Sequence, residues 1–223
     1  MADDESNPFA AVPLFPLPNV VLFPRAVLPL HIFEERYKAM TADALESDRQ
    51  IAMALLRPGW ERDYYQKPAI EEVVCIGTIL THERLADGKY NFLLQGHTRA
   101  RVVRELSGSD YRVATLEPIV ETEVLEIDLE PQRLRLAGMF ERGPLAALPT
   151  AAQFREIISG QLPTTDVMDL VAFNLIDDLP LKQSLLAEGD VLARVARTLD
   201  ALAELHPAVP AAYFRLPTNP SAN

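Results

Sequence analysis

The sequence has little cysteine, little positive charge and no long apolar run, and each shortage excludes a class of protein. Among 223 residues there is one cysteine, Cys75, which excludes an internal disulfide and a zinc site made of four cysteines. Lysine and arginine number 21 against 32 aspartate and glutamate residues, which gives a formal net charge of −11. Because this charge repels phosphate groups at long range, we expect neither nucleic acid nor a membrane surface as the main partner.

Segments that direct a protein to a membrane are also missing from the sequence. The amino terminus is acidic, and no apolar stretch long enough for a secretory signal follows it. No run approaches the roughly 18 apolar residues expected of a membrane-spanning helix. We therefore expect a cytoplasmic protein. Hydrophobic residues still make up 48% of the chain, which is sufficient for a packed core.

The first half of the chain has the pattern of β-strands interrupted by one helix. Prolines at five positions between residues 13 and 29 exclude a helix there and favour short edge strands. Residues 34–47 repeat apolar side chains every three or four positions, which predicts a helix. Alternating and β-branched runs then continue to residue 117, with a hairpin turn at Asp87-Gly88 and a break at Gly96. This succession predicts a small closed or half-closed barrel.

The second half changes to helical periodicity from Pro131 onward. The last predicted helix, near residues 190–205, has Arg194 and Arg197 off its apolar face. Strands followed by helices predict the α+β fold class. The predicted organisation is a disordered tail at 1–12, a strand-rich subdomain at 13–117, an acidic connector at 118–130, a helical subdomain at 131–207 and a tail at 208–223.

The sequence contains none of the short motifs that commonly carry catalysis. Gly88-Lys89 is followed by Tyr90, so a phosphate-binding loop of the Gly-x-x-x-x-Gly-Lys-Ser/Thr type is absent. His82-Glu83 lacks the second histidine of a zinc-protease helix, and no Gly-x-Ser-x-Gly elbow occurs. We therefore expect no enzyme, no cofactor and no metal site.

Two segments near the amino terminus resemble the opening signature of the Lon protease substrate-binding domain. They are Pro13–Pro24, PLFPLPNVVLFP, and Leu28–Tyr37, LPLHIFEERY. Further matches follow in the family's order and spacing at Ile76-Gly77, Asp87–Asn91, Leu94–Gly96, Arg99–Arg101 and Lys182–Leu186. On these residues the chain is identified as a member of that family, with a resemblance that spans about residues 13–205.

The resemblance implies a PUA-like β pseudo-barrel with one inserted helix, followed by an α-helical bundle. It also implies a non-catalytic module that binds unfolded or extended polypeptides and acts as an adaptor in proteolysis or protein quality control. A Lon-type protease is the candidate partner. The resemblance points to a stand-alone bacterial member without the ATPase and the Ser-Lys protease domain of its full-length relatives. It implies no cofactor, and self-association stays open.

An aromatic loop is the first candidate binding site. Residues 57–68 hold the one tryptophan and two of the six tyrosines in an otherwise polar segment between strands. Exposed aromatic rings often anchor protein recognition, so we predict an apolar groove for extended peptides at this loop. The alternative is that the rings fold back and cover the open end of the barrel. The predicted groove border consists of Phe15, Phe23, Trp60, Tyr64 and Tyr65.

A basic strip is the second candidate site. His97, Arg99 and Arg101 lie at alternate positions of one predicted strand, and PUA-like folds can bind RNA. The alternative function is therefore an RNA-associated PUA-like protein. We favour a solvated or ion-paired face, because Glu105 and Asp110 follow closely and the whole chain is acidic.

Overall fold

Strands dominate the first half of the chain in the computed structural model, which describes residues 9–63 and 66–205. The helix α1, Glu35–Glu46, lies between the second and third strands, as its apolar spacing predicted. A short 3-10 helix, Trp60–Asp63, follows the third strand. The strands are β1 Val12–Leu17, β2 Val27–Ile32, β3 Gln50–Leu55, β4 Val73–Arg84, β5 Tyr90–Leu106 and β6 Arg112–Pro118.

The long strand β5 hydrogen-bonds to three other strands and thereby closes the sheet on itself. The sheet order is β2-β5-β4-β3-β1-β6, and β5 also pairs with β6. Residues 90–95 of β5 pair with β2, residues 90–101 with β4 and residues 100–106 with β6. A register shift between Val102 and Arg104 accompanies the change to β6, as expected where a strand bends. Five strands therefore form a closed ring, and β2 pairs with the first part of β5 along the edge that β6 uses further on.

Alternate residues of these strands pack together into one core cluster. Because successive side chains of a strand point to opposite faces, every second residue can face the same side. Alanine occupies four of the nine positions, which suits the narrow space inside a ring of few strands. The cluster consists of Val12, Leu14, Ala52, Ala54, Val74, Ile76, Ala100, Ala114 and Leu116.

The chain crosses β5 very closely at Gly96, just before β2 begins. The backbone N–H of Arg25 donates to the Gly96 carbonyl at 2.8 Å, and the N–H of Gly96 donates to the Ala26 carbonyl at 2.9 Å. A Cβ atom at Gly96 would collide with the carbonyl of Phe23 and lie 2.9 Å from Cys75 Sγ. The predicted break at Gly96 corresponds to a register shift between β4 and β5 and not to an end of the strand. The strand continues through this glycine, whose role is to allow the close approach of a second backbone.

Helices form the second half, so the predicted α+β class is confirmed. The chain divides into two compact units, Met1–Ile119 and Val120–Asn223. In the second unit, Phe140 and Phe154 pack with ring centroids 5.1 Å apart inside a core of aliphatic side chains. The helices are α2 Glu130–Glu141, α3 Ala151–Ser159, α4 Thr164–Leu175, α5 Leu179–Leu186 and α6 Val191–Glu204.

Arg194 of α6 is buried, although its spacing placed it off the apolar face. Its side chain is 2% exposed and donates to the Glu188 carbonyl at 2.8 Å. Ion pairs with Glu121 at 2.5 Å and Asp169 at 3.9 Å compensate the buried charge. The periodicity of α6 could not show this, because Glu121 lies before α2 and Asp169 lies on α4.

Replacing Gly96 with alanine should lower the free energy of unfolding by about 1–3 kcal/mol, because the new Cβ must displace backbone and not a flexible side chain. Gly138→Ala is the matched control. It lies in α2, and an added Cβ would meet no heavy atom within 4 Å. The control should therefore raise the stability slightly, since alanine favours a helix over glycine. Urea unfolding followed by circular dichroism measures the free energy of unfolding of both variants. An unchanged unfolding midpoint for Gly96→Ala would contradict the close crossing.

Candidate functional site

The two phenylalanines predicted at the groove border lie in the core. Phe15 is 5% exposed and Phe23 is fully buried. Phe15 packs on Tyr37 of α1 with ring centroids 4.6 Å apart and an angle of 57° between the rings. Phe23 lies at the close crossing over Gly96. Burial of such large rings favours folding, so the structure uses both as core residues and not as an accessible border.

The two ends of the aromatic loop are hydrogen-bonded to each other. The backbone N–H of Arg57 donates to the Ala69 carbonyl at 2.9 Å. Trp60 is half-buried at the start of the 3-10 helix, whereas Tyr64 and Tyr65 lie outside the described residues. The loop therefore leaves and rejoins the sheet at one place, and its last residues line the surface depression found there.

This depression, which we call the Tyr37 pocket, is small and partly apolar. It encloses about 60 Å³. Sites for cofactors and drug-sized ligands occupy roughly 300 Å³ or more, so the pocket has room for a side chain but not for a cofactor. It is lined by Pro16, Arg36, Tyr37, Leu56, Gln66, Lys67, Pro68, Ser109, Asp110, Tyr111 and Arg112.

The aromatic ring of Tyr37 is held in place by two neighbours. Phe15 packs against it, and the guanidinium of Arg36 lies 4.6 Å from its centroid. Arg36 is in turn paired with Glu34 at 3.0 Å. Tyr37 is only 6% exposed, so a small part of its ring faces the pocket. That part is already ordered before a ligand arrives, which reduces the entropic cost of binding.

Arg112 forms a second wall of the Tyr37 pocket. It is 9% exposed, donates to the Pro68 carbonyl at 2.6 Å and makes two hydrogen bonds to the Glu105 carboxylate. These contacts connect β6 to the end of the aromatic loop. The charge of Arg112 is compensated by Glu105, so this residue shapes the pocket and does not offer a free cation.

A larger depression, the Asp43 pocket, adjoins the first. Both are lined by Ser109 and Tyr111, and the Tyr111 hydroxyl donates to Asp43 Oδ2 at 2.7 Å. The Asp43 pocket encloses about 330 Å³. Its lining consists of Ala11, Val12, Pro13, Asp43, Ala44, Ser47, Asp48, Gln50, Ser109, Tyr111 and Val113.

We refer to the two neighbouring pockets together as the α1 groove, because α1 contributes lining residues to both. Arg36 lines one end and Ser47 the other. At about 1.5 Å per residue this distance along the helix is roughly 16 Å. An extended chain covers about 3.3 Å per residue, so the groove has the length of about five residues of bound peptide.

The basic strip does not present three free cations. Arg99 is 5% exposed, and Arg101 pairs with Glu72 at 3.3 Å. His97 is exposed, but partial burial of its ring lowers its pKa, an effect that Asp48 only partly opposes. At neutral pH His97 is therefore mainly uncharged.

The described parts of the chain contain neither a metal-binding cluster nor a membrane-spanning helix. Within residues 9–63 and 66–205, no three histidine, cysteine, aspartate or glutamate side chains are placed to hold a metal ion. In the same ranges, every helix is too short or too polar to cross a bilayer.

Sequence reasoning did not identify the residues that form the α1 groove. It predicted a helix at residues 34–47 and strands up to residue 117, without a reason to bring the helix against the turn between the last two strands. The contact between Tyr111 and Asp43 joins positions 68 residues apart, which no local pattern reveals. The one sequence signal for this contact was the turn after the long strand β5, because a hairpin there brings the following strand back along β5.

Comparison with protein families matches nearly the whole chain to one family. The family model for the ATP-dependent protease La (LON) substrate-binding domain matches residues 11–204. Lon protease 2 of Myxococcus xanthus is 27% identical over 202 residues, and Lon protease 2 of Sorangium cellulosum is 30% identical over 199 residues. These matches cover 86% and 85% of this chain but 23% and 24% of those proteases. The chain thus spans about a quarter of the length of these relatives.

Two solved structures share the fold. The N-terminal domain of a Mycobacterium avium complex Lon protease has a TM-score of 0.67 at 18% identity, covering 87% of this chain and 98% of that one. The Lon N-terminal domain protein from Xanthomonas campestris has a TM-score of 0.61 at 24% identity, covering 86% of this chain and 98% of that one. At these identities the likeness shows the fold alone.

The Tyr111–Asp43 contact predicts an unusual tyrosine titration. Burial, followed by the hydrogen bond to the Asp43 carboxylate, raises the pKa of Tyr111 to about 12. An unfolded tyrosine has a pKa of about 10, so the contact stabilises the fold below pH 10 and this contribution is lost between about pH 10 and 12. Ultraviolet titration should show one late-titrating phenol fewer in Tyr111→Phe than in the wild type. If the substitution instead removes a phenol that titrates near pH 10, the contact is not as described.

Proposed function

Because the chain belongs to the Lon substrate-binding domain family, we propose that it is a non-catalytic module that binds unfolded or extended polypeptides. The observation that carries the proposal is the family match over residues 11–204. We also propose that the ring of strands is a PUA-like pseudo-barrel and that the helices form a bundle. In this proposal the protein works in the cytoplasm as an adaptor in proteolysis or quality control, with a Lon-type protease as its partner.

The α1 groove is the proposed peptide-binding site. The wall of its Tyr37 pocket contains the buried residues Pro16, Tyr37, Leu56 and Pro68, and the pocket is too small for a cofactor. Burial of one large apolar side chain contributes about 1.5–3 kcal/mol, so one or two such contacts could support weak, reversible capture of a polypeptide. Trp60, Tyr64 and Tyr65 precede the lining residues 66–68, and we propose that they extend the apolar contact at this end.

The residues that line the groove support binding in preference to catalysis. No histidine or cysteine lies among the described lining residues of either pocket. Asp43 accepts a hydrogen bond from the Tyr111 hydroxyl. The hydroxyl of Ser47 donates to the Ala44 carbonyl at 3.2 Å. A serine nucleophile needs an adjacent base that accepts its proton, and Ser47 is oriented towards a backbone carbonyl.

A bulky side chain at Ser109 should block the groove. Ser109 is exposed and lines both pockets, whereas the exposed Ser107 in the same turn lines neither. Ser109→Trp should weaken binding of a labelled, reduced and alkylated model protein about tenfold or more, and Ser107→Trp should leave the affinity unchanged. Fluorescence anisotropy measures both. Equal affinities for the two variants and the wild type would exclude the α1 groove as the site.

The aromatic loop is tested by Trp60→Ala combined with Tyr64→Ala. Truncation of aromatic anchors typically costs about 2 kcal/mol or more at a binding interface, so the affinity for the same unfolded protein should fall about thirtyfold. Because apolar contacts supply most of this energy, wild-type binding should persist in moderate salt, unlike binding to RNA. An unchanged affinity in the double variant would remove the loop from the proposed site.

A further inference from the structure

The Asp43 pocket places negative charge at the helix end where negative charge is least favourable. The unpaired carbonyl groups of the last turn give the C-terminal end of a helix a partial negative charge. Asp43 lies near this end of α1, Asp48 follows directly after it, and both line the pocket. The last turn of α1 contains no basic residue. The aspartates therefore destabilise the helix end, and a cation bound in the pocket would relieve the repulsion.

Neither aspartate is neutralised by a basic side chain of the described chain. Asp43 accepts a hydrogen bond from the neutral Tyr111 hydroxyl at 2.7 Å. Asp48 accepts one from the backbone N–H of Gln50 at 3.1 Å. In residues 9–63 and 66–205, no lysine or arginine forms an ion pair with either carboxylate. The nearby His97 has a lowered pKa and is mainly neutral at pH 7, so it does not supply the missing charge.

Apolar residues, of which Val12 and Ala44 are buried, line part of the same pocket as these carboxylates. They are Val12, Pro13, Ala44 and Val113. Lysine and arginine combine a long aliphatic stem, which packs against apolar surface, with a cation at the tip. An apolar wall with unpaired carboxylates at one end complements such a side chain better than it complements an acidic or a short polar one.

The opposite end of the α1 groove lacks an equally strong charge. Arg36 is paired with Glu34, and Arg112 is paired with Glu105. Lys67 and Asp110 also line this end and have opposite signs. The Tyr37 pocket should therefore select an apolar side chain by shape, while the Asp43 pocket selects by charge.

We propose that the α1 groove takes polypeptide segments in which a lysine or arginine stands four residues from a large apolar residue. The basic side chain binds in the Asp43 pocket and the apolar one in the Tyr37 pocket. The two pockets adjoin at Tyr111. In an extended chain, side chains four positions apart point to the same side about 13 Å from each other, which fits two pockets at the ends of a groove of roughly 16 Å. This inference rests on the proposed polypeptide binding and defines its substrate class.

The test uses fluorescein-labelled ten-residue peptides in anisotropy measurements with the full chain. One peptide has lysine four positions from leucine; a second replaces this lysine with methionine, which is similar in size but uncharged. The wild-type protein should bind the lysine peptide about tenfold more tightly than the methionine peptide. The double variant Asp43→Asn with Asp48→Asn should lose this preference and bind the two peptides with similar affinity.

Glu46→Gln is the matched control, because it removes one charge from the same helix end without lining either pocket. It should retain most of the preference for lysine. Equal binding of the two peptides by the wild type would overturn the inference and leave the proposed function intact. A lysine preference that survives in the double variant, or that falls equally with Glu46→Gln, would indicate general attraction to an acidic protein and would also overturn it. If neither the peptides nor the unfolded model protein binds, the proposed function itself fails.

Discussion

The pairing of β5 with β6 is the contact on which the rest of the strand-rich unit depends. β5 is 17 residues long and exchanges one set of partners for another along its length. Its last residues pair with β6, which in turn pairs with β1. This closure removes free strand edges from the ring, as it does in closed β-architectures. It also brings the turn before β6 against α1, and the α1 groove exists because of that approach.

The groove illustrates how a stable scaffold can carry a locally unfavourable feature. Arg112 is buried and fully paired, and Tyr37 is held between Phe15 and Arg36, so the walls at one end are ordered. At the other end, acidic residues lie at the negative end of α1 without a basic partner among the described residues. Local rules of stability are commonly broken where a protein binds something, because the ligand supplies the missing interaction. The contrast between the two ends supports a binding role for this surface.

The sequence was sufficient to predict the family, the α+β class and most elements, because these depend on local periodicity and turns. The helix at residues 34–47 and the hairpin at Asp87-Gly88 are examples. The site was predicted less well. Phe15 and Phe23 could not be recognised as core residues, since a proline-rich segment gives no clear alternation of buried and exposed positions. Gly96 was interpreted as a break, because only the folded chain shows the second backbone beside it.

The most direct test of this account is hydrogen–deuterium exchange of the protein with and without a bound unfolded polypeptide. Backbone amides of α1 and of the turn at residues 107–111 should exchange more slowly in the complex, because the polypeptide covers the groove between them. Slower exchange confined to β2 or to the helices of the second unit, with α1 and the turn unchanged, would show that polypeptides bind elsewhere and would contradict the account.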